Sequence, residues 1–174
     1  MKKWYAKSQH PGKKQVEVKE HLQDVSALST DFGRLLGMEA EAKEAGQLHD
    51  VGKYSEKFQN VLKGRVSRVD HAVVGAAFLW KYLIDTGGYT GEQLGRSNYA
   101  PILEAINAHH GELRSYHELQ HLLEACMQKQ DWLEGNDGKE VALTGEENYR
   151  NLRGVFREDF PAWKRVPIKR MLYF

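Results

Sequence analysis

The sequence predicts an all-α single domain, and three observations carry that prediction. Apolar residues recur at helical spacing in one segment after another. Alternating Val/Ile/Thr runs of strand length are nearly absent. Turn residues such as Pro11-Gly12, Lys63-Gly64-Arg65 and Gly135-Asn136-Asp137-Gly138 separate the periodic segments. With 174 residues the chain is about one domain long and can bury a core without staples.

Residues 1–16 are polar, contain the turn pair Pro11-Gly12, and read as an extended arm or loop. From Val18 a helix is expected, with His21, Leu22, Val25, Leu28, Phe32, Leu35 and Leu36 on one face and Gly37 at its end. A second helix over 39–50 places Ala42, Ala45, Leu48 and His49 inward, with Gly46 permitting close approach and Gly52 ending it. A short helix over 55–63 would bury Phe58, Val61 and Leu62, with Ser55 as its cap. Another runs from about Asp70 to Ile84, with His71, Val74, Gly75, Phe78 and Tyr82 sharing a face.

Residues 86–98 hold four glycines without periodicity and read as a flexible surface loop. Pro101 suits the first turn of the next helix, whose inner stripe is Ile102, Ala105, Ile106, His109 and His110, stopped by Gly111. The segment 115–133 is helical through Leu119, Leu122, Leu123 and Cys126, and the turn at 135–138 leads to a helix near 145–156. Pro161 and Pro167 bracket a last segment ending on Met171, Leu172, Tyr173 and Phe174. There is no internal repeat and no low-complexity stretch.

Composition narrows the function classes. The 25 basic and 24 acidic residues nearly cancel, so net charge gives no argument for nucleic acid. Lysines crowd the N-terminus (Lys2, Lys3, Lys7, Lys13, Lys14) and basic residues the C-terminus (Lys164, Arg165, Lys169, Arg170), and both clusters read as solvated charge. A single cysteine, Cys126, excludes an intrachain disulfide framework. The basic N-terminus lacks the apolar core of a signal peptide, and no apolar run approaches the roughly 20 residues of a membrane span. A soluble, cytoplasmic protein without membrane partners is expected.

The chemistry concentrates in histidine. Four helices each direct histidine inward, and His49 stands beside Asp50 and His71 beside Asp70. Imidazole and carboxylate together suit a divalent metal, and an aspartate between histidines can bridge two ions. Asp70 is a candidate for orienting a neighbouring ligand ring. His117 and His121, four residues apart, read as surface histidines, and His10 stays in the arm. Cys126 and the four tryptophans (Trp4, Trp80, Trp132, Trp163) read as core residues.

In order along the chain, Glu20-His21-Leu22, His49-Asp50 with Gly52-Lys53, Asp70-His71 with Gly75, and His109-His110-Gly111 resemble the HD superfamily of metal-dependent phosphohydrolases. With Tyr5-Ala6-Lys7-Ser8 and the adjacent His109-His110, the pattern is more closely similar to the HD nuclease domain of the CRISPR type I helicase-nuclease, through most of residues 1–174. That resemblance implies a helical domain with its metal site between packed helices, cutting single-stranded DNA with one or two divalent ions (Mn, Mg, Co, Ni, Fe or Zn). It implies one ion at His21, His49 and Asp50 with a late aspartate, and a second at Asp50, His71, His109 and His110. Asp50 would bridge, and Lys53 would face either phosphate oxygens or solvent. The implied partners are single-stranded DNA, a helicase domain or subunit, and a CRISPR RNA-guided surveillance complex.

The late aspartate motif has no match here. The sequence stops where it would begin, and neither Asp159 nor Asp131 has the right context, so a fragment cut before that motif and a possible helicase region is expected. Two other readings stay open: a phosphohydrolase of nucleotides or cyclic nucleotides, and a non-catalytic, metal-binding docking module.

Overall fold

Helix α1 (Val18–Leu35) opens where the Glu20 carboxylate accepts the Glu17 N–H at 3.4 Å, as in a capping box. In the computed structural model, which describes residues 2–9, 11–67, 69–128, 140–141 and 145–163, it is followed by α2 (Glu39–Leu48), a 3₁₀ turn (Val51–Tyr54) and α3 (Glu56–Leu62). Then come α4 (Ala72–Gly87), α5 (Gly91–Gly95), α6 (Tyr99–Ala108), α7 (Tyr116–Gln128) and α8 (Gly145–Asp159). The strands β1 (Val69–Asp70) and β2 (Glu140–Val141) are two residues long and pair parallel, Val69 opposite Glu140. The all-α expectation therefore holds. Among the described residues no helix is long and apolar enough to cross a membrane.

Helix α4 is the hub. Every residue from Ala72 to Trp80 is buried, so it is apolar all round, as a central helix must be. Phe78 and Leu79 are fully buried, with Leu48 of α2, Leu103 and Ile106 of α6, Leu119 and Leu123 of α7, and Phe156 of α8 in the same core. Cys126 and Trp80 are core residues, and Trp4 and Trp163 pack against the core, as expected.

Small residues set the spacing. A Cβ on Gly75 would run into the Leu48 carbonyl and come within 2.8 Å of Ile106 Cγ2, so α4 meets the α2 end backbone to backbone and takes the Ile106 side chain of α6 against the same glycine. Gly46 does the same for α2 against α1, where a Cβ would lie 2.8 Å from Ser29 Oγ. Ser26 Oγ then donates to the Lys43 carbonyl at 3.0 Å across that contact.

Several sequence expectations need correction. Leu28, Phe32, Leu35 and Leu36 are exposed, because α1 turns Val18, Leu22, Ser26 and Gly33 inward and the small members of that face admit α2. Residues 86–98 are not a plain loop. Thr90 and Gln93 form a capping box, α5 follows, and Leu94 is fully buried, so a five-residue helix too short to show a period anchors the segment. Helix α2 stops at Leu48, leaving His49 and Asp50 in the turn after it, and Gly52 lies inside the 3₁₀ turn rather than ending a helix. Val61 and Leu62 are half-buried and Ala105 is exposed, whereas Ser55 caps α3 as expected, accepting the Phe58 N–H at 3.2 Å. The N-terminal arm is docked: Ala6 N–H donates to Val16 O and Val18 N–H to Trp4 O, at 2.9 and 2.8 Å. His10, Asp131, Trp132, the turn at 135–138 and residues 164–174 lie outside the described residues.

These contacts give a prediction of opposite signs. Gly75→Ala should destabilise by about 1–3 kcal/mol through overpacking. Gly154→Ala, where an added Cβ meets nothing, should stabilise by roughly 0.5–1 kcal/mol. Urea midpoints at constant slope measure both; a neutral Gly75→Ala would contradict the close α4–α2 approach.

Candidate metal centre

Asp50 sits in the turn between α2 and the 3₁₀ turn, with a side chain only 3% exposed. A carboxylate this deep must be paired. Its partners among the described residues are five side chains. His21 Nε2 of α1 lies 2.7 Å from Oδ2, and His49 Nε2 lies 3.1 Å from the same oxygen. His71 Nε2, from the residue before α4, lies 3.0 Å from Oδ1, and His109 Nε2, just past α6, lies 3.3 Å from it. Lys53 Nζ, three residues on in the 3₁₀ turn, is 2.6 Å from Oδ2. His110 joins from outside, its ring centroid 4.2 Å from that of His109 and 5.0 Å from that of His71.

The surroundings hold this turn from both ends. Gly75 lets α4 pack on the Leu48 and His49 carbonyls, and Gly52 lets the 3₁₀ turn touch His71, whose carbonyl would lie 2.6 Å from a Cβ there. Gln59 donates to the Tyr5 and Lys53 carbonyls at 2.9 and 3.0 Å, tying the arm to the turn. Tyr54 OH donates to Asp159 Oδ2 at 2.6 Å, and Lys19 Nζ lies 3.7 Å from Oδ1 of the same carboxylate. Burial and Asp159 push the Tyr54 hydroxyl up, so it stays a proton donor. Asp159 is thus held by Tyr54 and Lys19, outside both histidine groups.

Proton bookkeeping shows why a metal fits. His49 Nδ1 faces the Gly46 carbonyl at 2.8 Å, and His109 Nδ1 faces the Ile106 carbonyl at 2.7 Å. A carbonyl only accepts, so both Nδ1 atoms carry the proton, and the neutral rings present a bare Nε2. That lone pair points at a carboxylate oxygen, which also only accepts. An acceptor facing an acceptor is relieved by a second ring proton or by a metal ion between them. His71 adds to this, since neither of its buried ring nitrogens makes a hydrogen bond although Nε2 is 3.0 Å from Asp50.

The ligand atoms of Asp50, His71, His109 and His110 all lie within 4.8 Å of one another, as do those of His21, His49 and Asp50. The residues present therefore fit divalent ions on either side of one carboxylate. Burial pushes the Asp50 carboxyl up, and where the facing ring nitrogens of His109, His21, His49 and His71 carry a proton they outweigh it and hold the group below the usual carboxylate range. Asp50 is ionised at every working pH. Burial, then the neighbouring His109 and His71, pull His110 down, which favours the neutral form a ligand needs.

All six expected metal-site residues, His21, His49, Asp50, His71, His109 and His110, thus come together, along with Lys53. Lys53 is not solvated, its side chain being 10% exposed against Asp50. Asp70 does not orient a ring; its Oδ1 accepts the Ala72 N–H at 3.1 Å at the start of α4. Backbone carbonyls orient His49 and His109 instead, and Gln59 and Tyr54 brace the turn. No sequence signal marks these carbonyls, because every residue has one. His117 and His121 form an exposed pair, Nε2 to Nε2 3.2 Å, away from both groups.

Asp50→Asn should leave Lys53 buried without a counter-ion. In chelator the loss should be about 3–5 kcal/mol, as for one partner removed from a buried ion pair. Denaturant unfolding measures it, and a change below about 1 kcal/mol would contradict the pairing.

Comparison with known families agrees with this geometry. The family model described as HD domain matches residues 18–136, a span that opens at α1 and takes in every histidine of the site. No curated protein and no solved structure matches the chain. With more than half of its length matched, the chain belongs to the HD-domain family, whose members are typically metal-dependent hydrolases.

Proposed function

We propose that this HD domain is a metal-dependent phosphodiesterase that hydrolyses single-stranded DNA, as the nuclease module of a CRISPR type I interference system. The observation that carries the hydrolase part is the Asp50 carboxylate held between two histidine groups, His21 and His49 on Oδ2 and His71 and His109 on Oδ1. The finer assignment rests on sequence: the adjacent His109-His110, Glu20-His21-Leu22 and the early Tyr5-Ala6-Lys7-Ser8.

Asp50, His71, His109 and His110 would hold one divalent ion, and His21, His49 and Asp50 would offer a second position. A bound ion supplies Lewis acidity, which acidifies water and polarises a phosphodiester. The chain's own residues do the rest. The Gly46 and Ile106 carbonyls keep the His49 and His109 protons on Nδ1, so each Nε2 is free to ligate. Asp50 stays ionised and anchors both sides of the centre. Lys53 adds positive charge at the same point, where an anionic phosphate must approach.

Base selection needs no element of this domain. Its near-balanced charge suits a module that receives its strand from a helicase domain or subunit, with specificity residing in guide-RNA pairing within a surveillance complex.

The test is hydrolysis of single-stranded DNA by the purified chain with a panel of divalent ions, beside nucleoside monophosphates and cyclic nucleotides. DNA cleavage that needs an added ion, stops with chelator and falls at least about a hundredfold in Asp50→Ala is expected. Turnover of the small nucleotides without DNA cleavage would replace this reading with a nucleotide phosphohydrolase.

A further inference from the structure

Asp50 presents two oxygens, and the structure loads them unequally. Oδ1 faces His71 and His109, with His110 completing a four-donor group. Oδ2 faces His21 and His49 in a three-donor group, and it also faces the Lys53 ammonium at 2.6 Å, the shortest of the five contacts to this carboxylate.

Lys53 is not a surface lysine reaching in. Its N–H donates to the Asp50 carbonyl at 2.9 Å, and its own carbonyl is fixed by Gln59 at 3.0 Å. Its ammonium lies 5.3 Å over the Phe58 ring. Main chain and side chain both bind it to the residue it neutralises.

We infer that the Lys53 ammonium is the resident cation on the Oδ2 side, so that the centre takes one divalent ion, between Oδ1 and His71, His109 and His110. This rests on the reading of the site as a divalent-metal centre. An ion held by His21, His49 and Oδ2 would bond that oxygen at about 2.0–2.2 Å and would have to share it with the ammonium. Two cations on one oxygen repel strongly in a setting this dry. His21 then serves to orient Asp50 through its 2.7 Å hydrogen bond to Oδ2, and the second ion position opens only when Lys53 loses its charge.

Isothermal titration of the full chain with Mn²⁺, cross-checked by elemental analysis, decides the matter by stoichiometry. One ion per chain is expected for the wild type and two for Lys53→Met, which keeps the length and removes the charge. In the wild-type background, His21→Ala should keep one ion and His109→Ala should lose it, so the inference stays testable if Lys53→Met fails to fold. Two ions in the wild type, one ion in folded Lys53→Met, or loss of the ion in His21→Ala would each overturn the single-ion inference while leaving a metal centre in place. No ion in the wild type would overturn that underlying reading as well.

Discussion

One buried carboxylate organises this protein. Asp50 is almost fully enclosed, and a lone charge so placed would be costly. It is tolerable because four imidazoles and an ammonium converge on its two oxygens. The same convergence leaves at least two ring lone pairs aimed at an acceptor, an arrangement that a second ring proton or a metal ion would complete.

The helices can be understood as supports for that point. Helix α1 delivers His21, α2 ends where His49 and Asp50 must turn, the start of α4 delivers His71, and the end of α6 delivers His109 and His110. Three of these are helix termini, where unpaired backbone groups are available. The last turns of α2 and α6 use theirs to fix the His49 and His109 tautomers. Gly46 and Gly75 bring the supports close enough for ligands from distant parts of the chain to meet. Gln59 and the Tyr54–Asp159 pair tie the 3₁₀ turn to the N-terminal arm and to α8 by hydrogen bonds.

Much of this was legible in the sequence because the chemistry is rare. A histidine directed inward from four helices, with His49-Asp50 among them, has few purely structural explanations, and the six expected ligands do converge. One face of α4 was legible too, since Val74, Gly75, Phe78 and Tyr82 are buried as their spacing implies, while its burial all round was not. What escaped was relative. The stripe of Leu28, Phe32, Leu35 and Leu36 has helical period yet faces out, because periodicity says nothing of which face a neighbour will choose, and α2 chose the small residues. Helix α5 was hidden by its length, although Thr90 and Gln93 spell its cap. The role of Lys53 was open between phosphate and solvent, and its burial against Asp50 depends on a 3₁₀ turn where a helix end was expected.

The central claim is that the donor group of Asp50, His71, His109 and His110 is there for a metal ion. Anomalous diffraction at the absorption edge of a bound transition metal tests it directly. The account predicts a peak within about 2.0–2.2 Å of Asp50 Oδ1 and the His71 and His109 ring nitrogens. A metal-loaded crystal with its only peak elsewhere, at the exposed His117–His121 pair for example, would contradict it.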